Sequence, residues 1–161
     1  MEDYRIVNLH NNMLKVYRDG RVEREFIYTS GVKIWIKIGA LSKTIGYYTF
    51  VLIRKKYRKL YLVHRVMGYA YLGLDIDDKT QIIDHIDRNR TNNNLINLRI
   101  VTQQQNAFNK SNIKGYYWEK ERNKYRAQIT VNRKKIHLGS YKTEICARLA
   151  YLTAKNHYHK Y

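Results

Sequence analysis

The period of the hydrophobic pattern changes along this chain, and each change limits what the segment can become. Up to about residue 62 the apolar residues fall in β-branched and aromatic runs. MLKVYR and RVEREF flank Asp19-Gly20, a dipeptide suited to a tight hairpin turn, and IWIKIG and YYTFVLI follow as further strand-like runs. From residue 63, VHRVMGYAYLG spaces its apolar residues helically, with Gly73 as a natural stop. IIDH then reads as a short apolar strand, TNNNLINL as a polar loop turning into a short helix, and RIVT as another strand. Thr102 is placed as an N-cap before QQQNAFNK. Past the short polar link NKSNIKG, read as a hinge, come three strand-like runs with turns near Arg122-Asn123 and Asn132-Arg133. A helix follows, from Lys142 or Thr143 to Lys155. The expected fold class is α+β in three parts. These are a β-rich lead-in over 1–62, a strand-loop-strand-helix module over 63–110, and a small three-stranded antiparallel sheet plus helix over 111–161.

Composition then narrows the partner. Thirty-one Lys and Arg against 13 Asp and Glu give the 161 residues a net charge of +18. From Lys110 to Tyr161 alone the balance is +10. Phosphate neutralisation is the strongest general reason to retain such a charge, and no long amphipathic helix offers a membrane surface an apolar face. The expected partner is double-stranded DNA. The single Cys146 excludes an internal disulfide and any Cys-pair zinc site, and reads as a reduced, buried helix residue. No apolar run reaches membrane-spanning length and no secretory pattern opens the chain, so the expectation is a soluble, cytoplasmic protein.

RKKYRK, with five basic residues in six, lies between two strand-like stretches. It reads as an exposed hairpin tip whose Arg54, Lys55, Lys56 and Arg58 contact phosphate rather than merely face solvent.

The stretch DHIDRNRTNNNLINLRIVTQQQN carries the chemistry. Cleaving a phosphodiester at neutral pH requires a base for the attacking water and charge relief at the phosphate. An imidazole titrating near neutrality can be that base, and a hard divalent cation needs only one or two protein oxygens. Taken singly, Asp84 could be a turn acid, His85 a core histidine, and Asn97 and Asn106 products of an AT-rich coding sequence. What points to a site is their joint match, inside one strand-loop-strand-helix frame, to the spacing of the family described next. Asn92, Asn93, Asn94 and Asn109 are read as loop and surface residues, and Asp87 as the rival carboxylate for a metal. His64 with Arg65 is read as packing or a phosphate contact.

Asp84-His85, Asn97 twelve residues after His85, and Asn106 nine after Asn97 resemble the HNH endonuclease motif of phage homing endonucleases. The flanking VHRVMGYAYLG and QQQNAFN share the resemblance, which covers about residues 60 to 110. It implies a ββα-metal module in which His85 is the general base and Asp84 and Asn106 bind one divalent ion. Mg²⁺ is expected, with Mn²⁺ the alternative. It also implies that Asn97 fixes the loop so that His85 is aimed, which suits an amide able to satisfy loop backbone groups. Adjacent strand residues face opposite ways, so Asp84 and His85 converge only if the strand ends or twists there.

In the last part, strand alternation puts Tyr125, Ala127, Ile129 and Val131 on one face and Lys124, Arg126, Gln128 and Thr130 on the other. Ile136 and Leu138 oppose Lys135 and His137 in the same way. The apolar face is expected to receive the helix through Ile145, Leu149 and Leu152. A basic, amide-bearing ribbon can enter the major groove. GYYW, KYRAQI, KIHLGSYKT and ARLAYLTA resemble the ethylene-response-factor (Apetala-type) DNA-binding domain. That resemblance implies DNA contacts from Tyr117, Arg122, Lys124, Arg126, Gln128, Thr130, Lys135 and His137, while Trp118 is open between stacking and core. Together these readings give a monomeric homing-type DNA endonuclease with one active site that nicks one strand. The rival reading is a DNA-binding protein, a repressor or a decayed endonuclease, without cleavage.

Overall fold

Alternating apolar and polar residues build the N-terminal half from antiparallel ribbons. The computed structural model describes residues 3–54, 57–109 and 113–159. Strands β1 (Tyr4–Leu9), β2 (Asn12–Tyr17), β3 (Val22–Ile27) and β4 (Lys33–Ile38) form a four-stranded meander in that order. Leu9, Leu14, Val16 and Val22 turn to one side of it and are at most 2% exposed. A second sheet comprises β5 (Ala40–Leu41), β6 (Tyr48–Arg54) and β7 (Tyr57–Leu62), with Arg54 paired to Tyr57 at its tip. Lys55 and Lys56, expected at that tip, lie outside the described residues.

Helix α1 (Val63–Tyr71) follows without a loop and buries Val63, Val66, Met67 and Ala70. It closes on Gly73, whose positive φ of 76° lets Leu74 N–H return to the Gly68 carbonyl at 3.1 Å. Gly68 serves a second purpose. A Cβ there would lie 2.6 Å from Ile83 Cδ1, so glycine lets the next strand come in against the helix. That strand, β8 (Ile82–His85), pairs with β9 (Leu98–Val101), and a one-turn 3-10 helix over Leu95–Asn97 leads into β9. Arg65 fixes the connection from α1 to β8 by donating to the carbonyls of Gln81 and Asp78, each at 2.7 Å, and of Ile76 at 3.3 Å.

A single core unites these pieces. Leu14, Val16 and Val22 of the meander, Phe50, Leu52 and Tyr61 of the second sheet, Val66 and Met67 of α1, and Ile83 and Leu98 of the ribbon belong to one buried cluster. Full burial of such a side chain stabilises by about 1.5–3 kcal/mol relative to exposure.

The chain divides into two units, Met1–Thr102 and Gln103–Tyr161. The second opens with α2 (Gln103–Phe108) and continues as the sheet β10 (Tyr116–Glu119), β11 (Lys124–Val131) and β12 (Lys134–Tyr141). Asn123, Asn132 and Arg133 take left-handed backbone at its turns. Helix α3 (Glu144–Tyr158) starts on Thr143, whose Oγ1 accepts from Cys146 N–H at 3.3 Å, and it runs past the expected end at Lys155.

The packed face of α3 differs from the expected one. Ile145, Leu149 and Leu152 are 71%, 58% and 38% exposed, whereas Ala147, Tyr151 and Ala154 are buried. Both stripes have helical spacing. The alanine stripe prevails because its short side chains let the helix approach the sheet, with Tyr151 and Ala154 clustered with Ile129. Cys146 lies beside Ile145 and is exposed, not buried as expected. Among the described residues no helix is long and apolar enough to cross a membrane.

Candidate active site

β8 ends at His85. The chain then turns, with Arg88 N–H on the His85 carbonyl at 2.9 Å and Arg88 itself at φ 65°. Asp84 sits opposite Arg99 in the ribbon, and His85, the last residue of β8, opposite Leu98. Arg99 grips Asp84 Oδ2 through Nε at 3.0 Å and Nη2 at 2.8 Å, two charge-assisted bonds to a carboxylate only 7% exposed. Arg99 had no role in the sequence reading, though ribbon register places it across from Asp84.

The loop after His85 is tied to itself by amides. Asn97 is buried; its Oδ1 accepts from Asp87 N–H at 3.0 Å, and its Nδ2 donates to Asp87 Oδ1 and to the Asn92 carbonyl, each at 2.9 Å. The Asp87 carboxylate is engaged on both oxygens, with Asn89 N–H on Oδ1 and Asn92 Nδ2 on Oδ2, each at 2.7 Å. These donors, Asn92 first, hold its pKa below the ordinary carboxylate value. Asp87 thus organises the loop. Asn94 Oδ1 caps the 3-10 turn through Ile96 N–H at 3.3 Å.

Asn93 departs from its reading as a surface residue. It is 6% exposed, and its Oδ1 lies 3.3 Å from His85 Nε2. Nothing in the sequence separates it from its neighbours in the run of asparagines; only tertiary packing does.

His85 belongs to a cluster of rings. Its centroid is 5.2 Å from His64 and 6.0 Å from Tyr47, and the Arg90 guanidinium stands 5.2 Å over Tyr47. Burial lowers the His85 pKa, opposed by the Asn93 hydrogen bond and by Asp87 and Asp84. His64 is depressed further, to about 3, by burial first and then by His85 and Arg65. Its Nδ1 is buried without a hydrogen-bond partner. Two imidazoles are therefore in contact, and the deeper one is the poorer base.

In the second unit, Asn106 is half-buried on α2. The Asp84 carboxylate is an oxygen donor of the kind a hard divalent cation takes while keeping several of its own waters. Among the described residues no three His, Cys, Asp or Glu side chains gather into a ready-made metal cage.

On the sheet of the second unit, Tyr117, Lys124, Thr130, Lys135 and His137 are exposed and Arg126 and Gln128 half-buried, while Arg122 is exposed on the 3-10 turn between β10 and β11. Arg126 is braced, its Nη1 on Glu119 Oε1 at 3.0 Å and its Nε on His137 Nδ1 at 3.2 Å. Glu119 was absent from the sequence reading, although it shares a face with Tyr117 on β10. Trp118 is 45% exposed with its ring 4.6 Å from Tyr125. In the first unit Arg58 is exposed.

Residues 61–108, which hold Asp84, His85, Asn97 and Asn106, match the model of the HNH endonuclease family. The chain carries an HNH endonuclease domain. Over 97 residues, 55% of its length, it is 41% identical to Protein 3.8 of Escherichia phage T7 and covers 79% of that protein. It belongs to the same family as that phage protein. A 53-residue stretch, 31% of the chain, is 49% identical to the uncharacterized HNH endonuclease L560 of Acanthamoeba polyphaga mimivirus, of which the chain spans 28%. Among solved structures, that of DNA binding and cleavage by the HNH homing endonuclease I-HmuI is similar at a TM-score of 0.46 and 24% identity, over 83% of this chain and 74% of that one.

Proposed function

We propose that the protein is a metal-dependent, site-directed DNA endonuclease of homing type, a monomer whose single site nicks one strand. The observation that carries this reading is the fixed imidazole of His85, which ends the strand bearing Asp84 inside an HNH endonuclease domain. The His85 ring, held against Asn93 Oδ1 at Nε2, takes the proton of the attacking water. Asn97 and Asp87 hold the loop behind it. Asp84 and Asn106 would hold one divalent ion, Mg²⁺ or Mn²⁺, and that ion would supply charge relief at the phosphate. Arg99 keeps the Asp84 carboxylate in one orientation for that role.

The second unit grips DNA through the basic face of its sheet, in the manner of an ethylene-response-factor domain. Support comes from the net +10 of residues 110–161 and from the exposure of Lys124, Lys135 and His137 on one face. Arg54, Lys55, Lys56 and Arg58 add phosphate contacts. Glu119 pre-orients the Arg126 fork toward a base edge. Arg126→Ala accordingly reduces discrimination between sequences by about 1–3 kcal/mol in competition binding. A uniform loss on every sequence would place Arg126 on phosphate instead.

The function is tested with supercoiled plasmid carrying phage genomic fragments, incubated with the protein in Mg²⁺, in Mn²⁺ and in EDTA. Metal-dependent open circles appearing before linear product are expected. Salt-sensitive binding to a cloned target without cutting would leave a DNA-binding protein, and linearisation in one step at limiting enzyme would overturn the single-site monomer.

A further inference from the structure

We propose that the β2–β3 turn, Arg18–Arg21, is part of the cleavage machinery, with Gly20 as a positioning residue that sets His85 through Asn93. The turn is rigid. Tyr17 N–H bonds the Arg21 carbonyl and Gly20 N–H the Tyr17 carbonyl, each at 3.0 Å. The Asp19 carboxylate accepts from Arg21 N–H at 2.9 Å and from Arg21 Nε at 2.7 Å. This turn is set directly against the loop after His85. Leu95 N–H donates to the Arg18 carbonyl at 2.8 Å. A Cβ added at Gly20 would lie 2.6 Å from Asn93 Cβ, 2.9 Å from the Asn93 carbonyl oxygen and 3.0 Å from its carbon. Two backbones meet there with no flexible side chain between them to give way. Asn93 in turn places Oδ1 on His85 Nε2. Glycine at residue 20 is thus the spacer that fixes how far Asn93, and hence the ring it holds, stands from the N-terminal sheet.

A matched control exists in the same sheet. The β3–β4 turn repeats the bonding, with Tyr28 N–H on the Val32 carbonyl and Gly31 N–H on the Tyr28 carbonyl, each at 2.9 Å. Gly31 has φ 81° against 92° for Gly20, but nothing lies within 4 Å of its added Cβ. Alanine at either position meets the same backbone strain, and only at Gly20 does it meet Asn93.

The inference rests on His85 being the base, and the test keeps the two claims apart. Single-turnover nicking and DNA affinity in EDTA are measured for the full chain, for Gly20→Ala, Gly31→Ala and Asn93→Ala, and for the Gly20→Ala/Asn93→Ala double variant. Displacement of a catalytic group by about 1 Å costs up to about 100-fold. Gly20→Ala is expected to slow nicking about tenfold or more, within that range, with affinity unchanged. Gly31→Ala is expected to match the wild type, and the double variant to cleave no more slowly than Asn93→Ala alone. Equal rates for the two glycine variants, or a Gly20 effect that adds in full to that of Asn93→Ala, would overturn the proposal. If Gly20→Ala does not fold, Asp19→Ala, which loosens the turn without adding bulk at the contact, takes its place; an unaltered rate then counts against the proposal. If the wild type itself does not nick, the nuclease reading fails. The His85 imidazole NMR resonances then decide the inference: a shift with Gly20→Ala but not Gly31→Ala supports it, and no difference sinks it.

Discussion

His85→Ala is expected to lower single-turnover nicking by about two to four orders of magnitude, the usual weight of a positioned general base. DNA affinity in EDTA is expected to stay nearly unchanged. The neighbouring imidazole offers no substitute. His64 is 5.2 Å away between ring centroids, but a pKa of about 3 makes its neutral form a weak proton acceptor. Burial lowers His85 as well, opposed there by Asn93, Asp87 and Asp84, which favour its charged form. The acid limb of the wild-type rate profile therefore lies below pH 6.5, the ordinary histidine value. A His85→Ala variant that still cleaves at near wild-type rate would remove the base from the mechanism.

The second large effect is on stability rather than rate. His64 binds its proton near pH 6.5 when unfolded and at about 3 when folded. Between those values the unfolded chain holds more protons, so its share of stability is intact above pH 6.5 and is lost as pH falls toward 3. At about 1.4 kcal/mol per pH unit, one such group withdraws about 2 kcal/mol between pH 6.5 and pH 5, and on the order of 5 kcal/mol over the whole interval. His85 and His159, both lowered by burial, act in the same direction. His64→Gln keeps a polar side chain but cannot titrate. Urea midpoints measured from pH 7 to pH 5 should fall less steeply in that variant than in the wild type. Parallel curves would mean that His64 titrates normally in the folded protein.

Much of this was legible in the sequence, and the parts that were not share a cause. Asp19-Gly20 marked its hairpin because a tight turn demands positive φ there, and alternation marked β11 because each second residue meets a helix. Gly73 marked the end of α1 for the same conformational reason. The packed face of α3 was not legible. Ile145, Leu149 and Leu152 carry more apolar surface than Ala147 and Ala154, and only the distance between helix and sheet decides for the smaller set. Asn93 was hidden for a related reason. A turn distant in the sequence packs against it and its loop folds back on His85, and no local periodicity reports either. Asp84, His85, Asn97 and Asn106 were singled out by spacing and family resemblance, whereas Arg99 needed the ribbon register to be noticed.

The buried cluster that joins the first two sheets, α1 and the β8–β9 ribbon bears on what the family domain needs in order to fold. The family match begins at residue 61, yet Val66, Met67, Ile83 and Leu98 pack against Leu14, Val16, Val22 and Phe50, which lie upstream of it. Cut at the family boundary, the segment would present that apolar surface to water. The stretch matched by the family is shorter than the stretch that packs together, so those residues rely on an apolar wall from outside their own bounds.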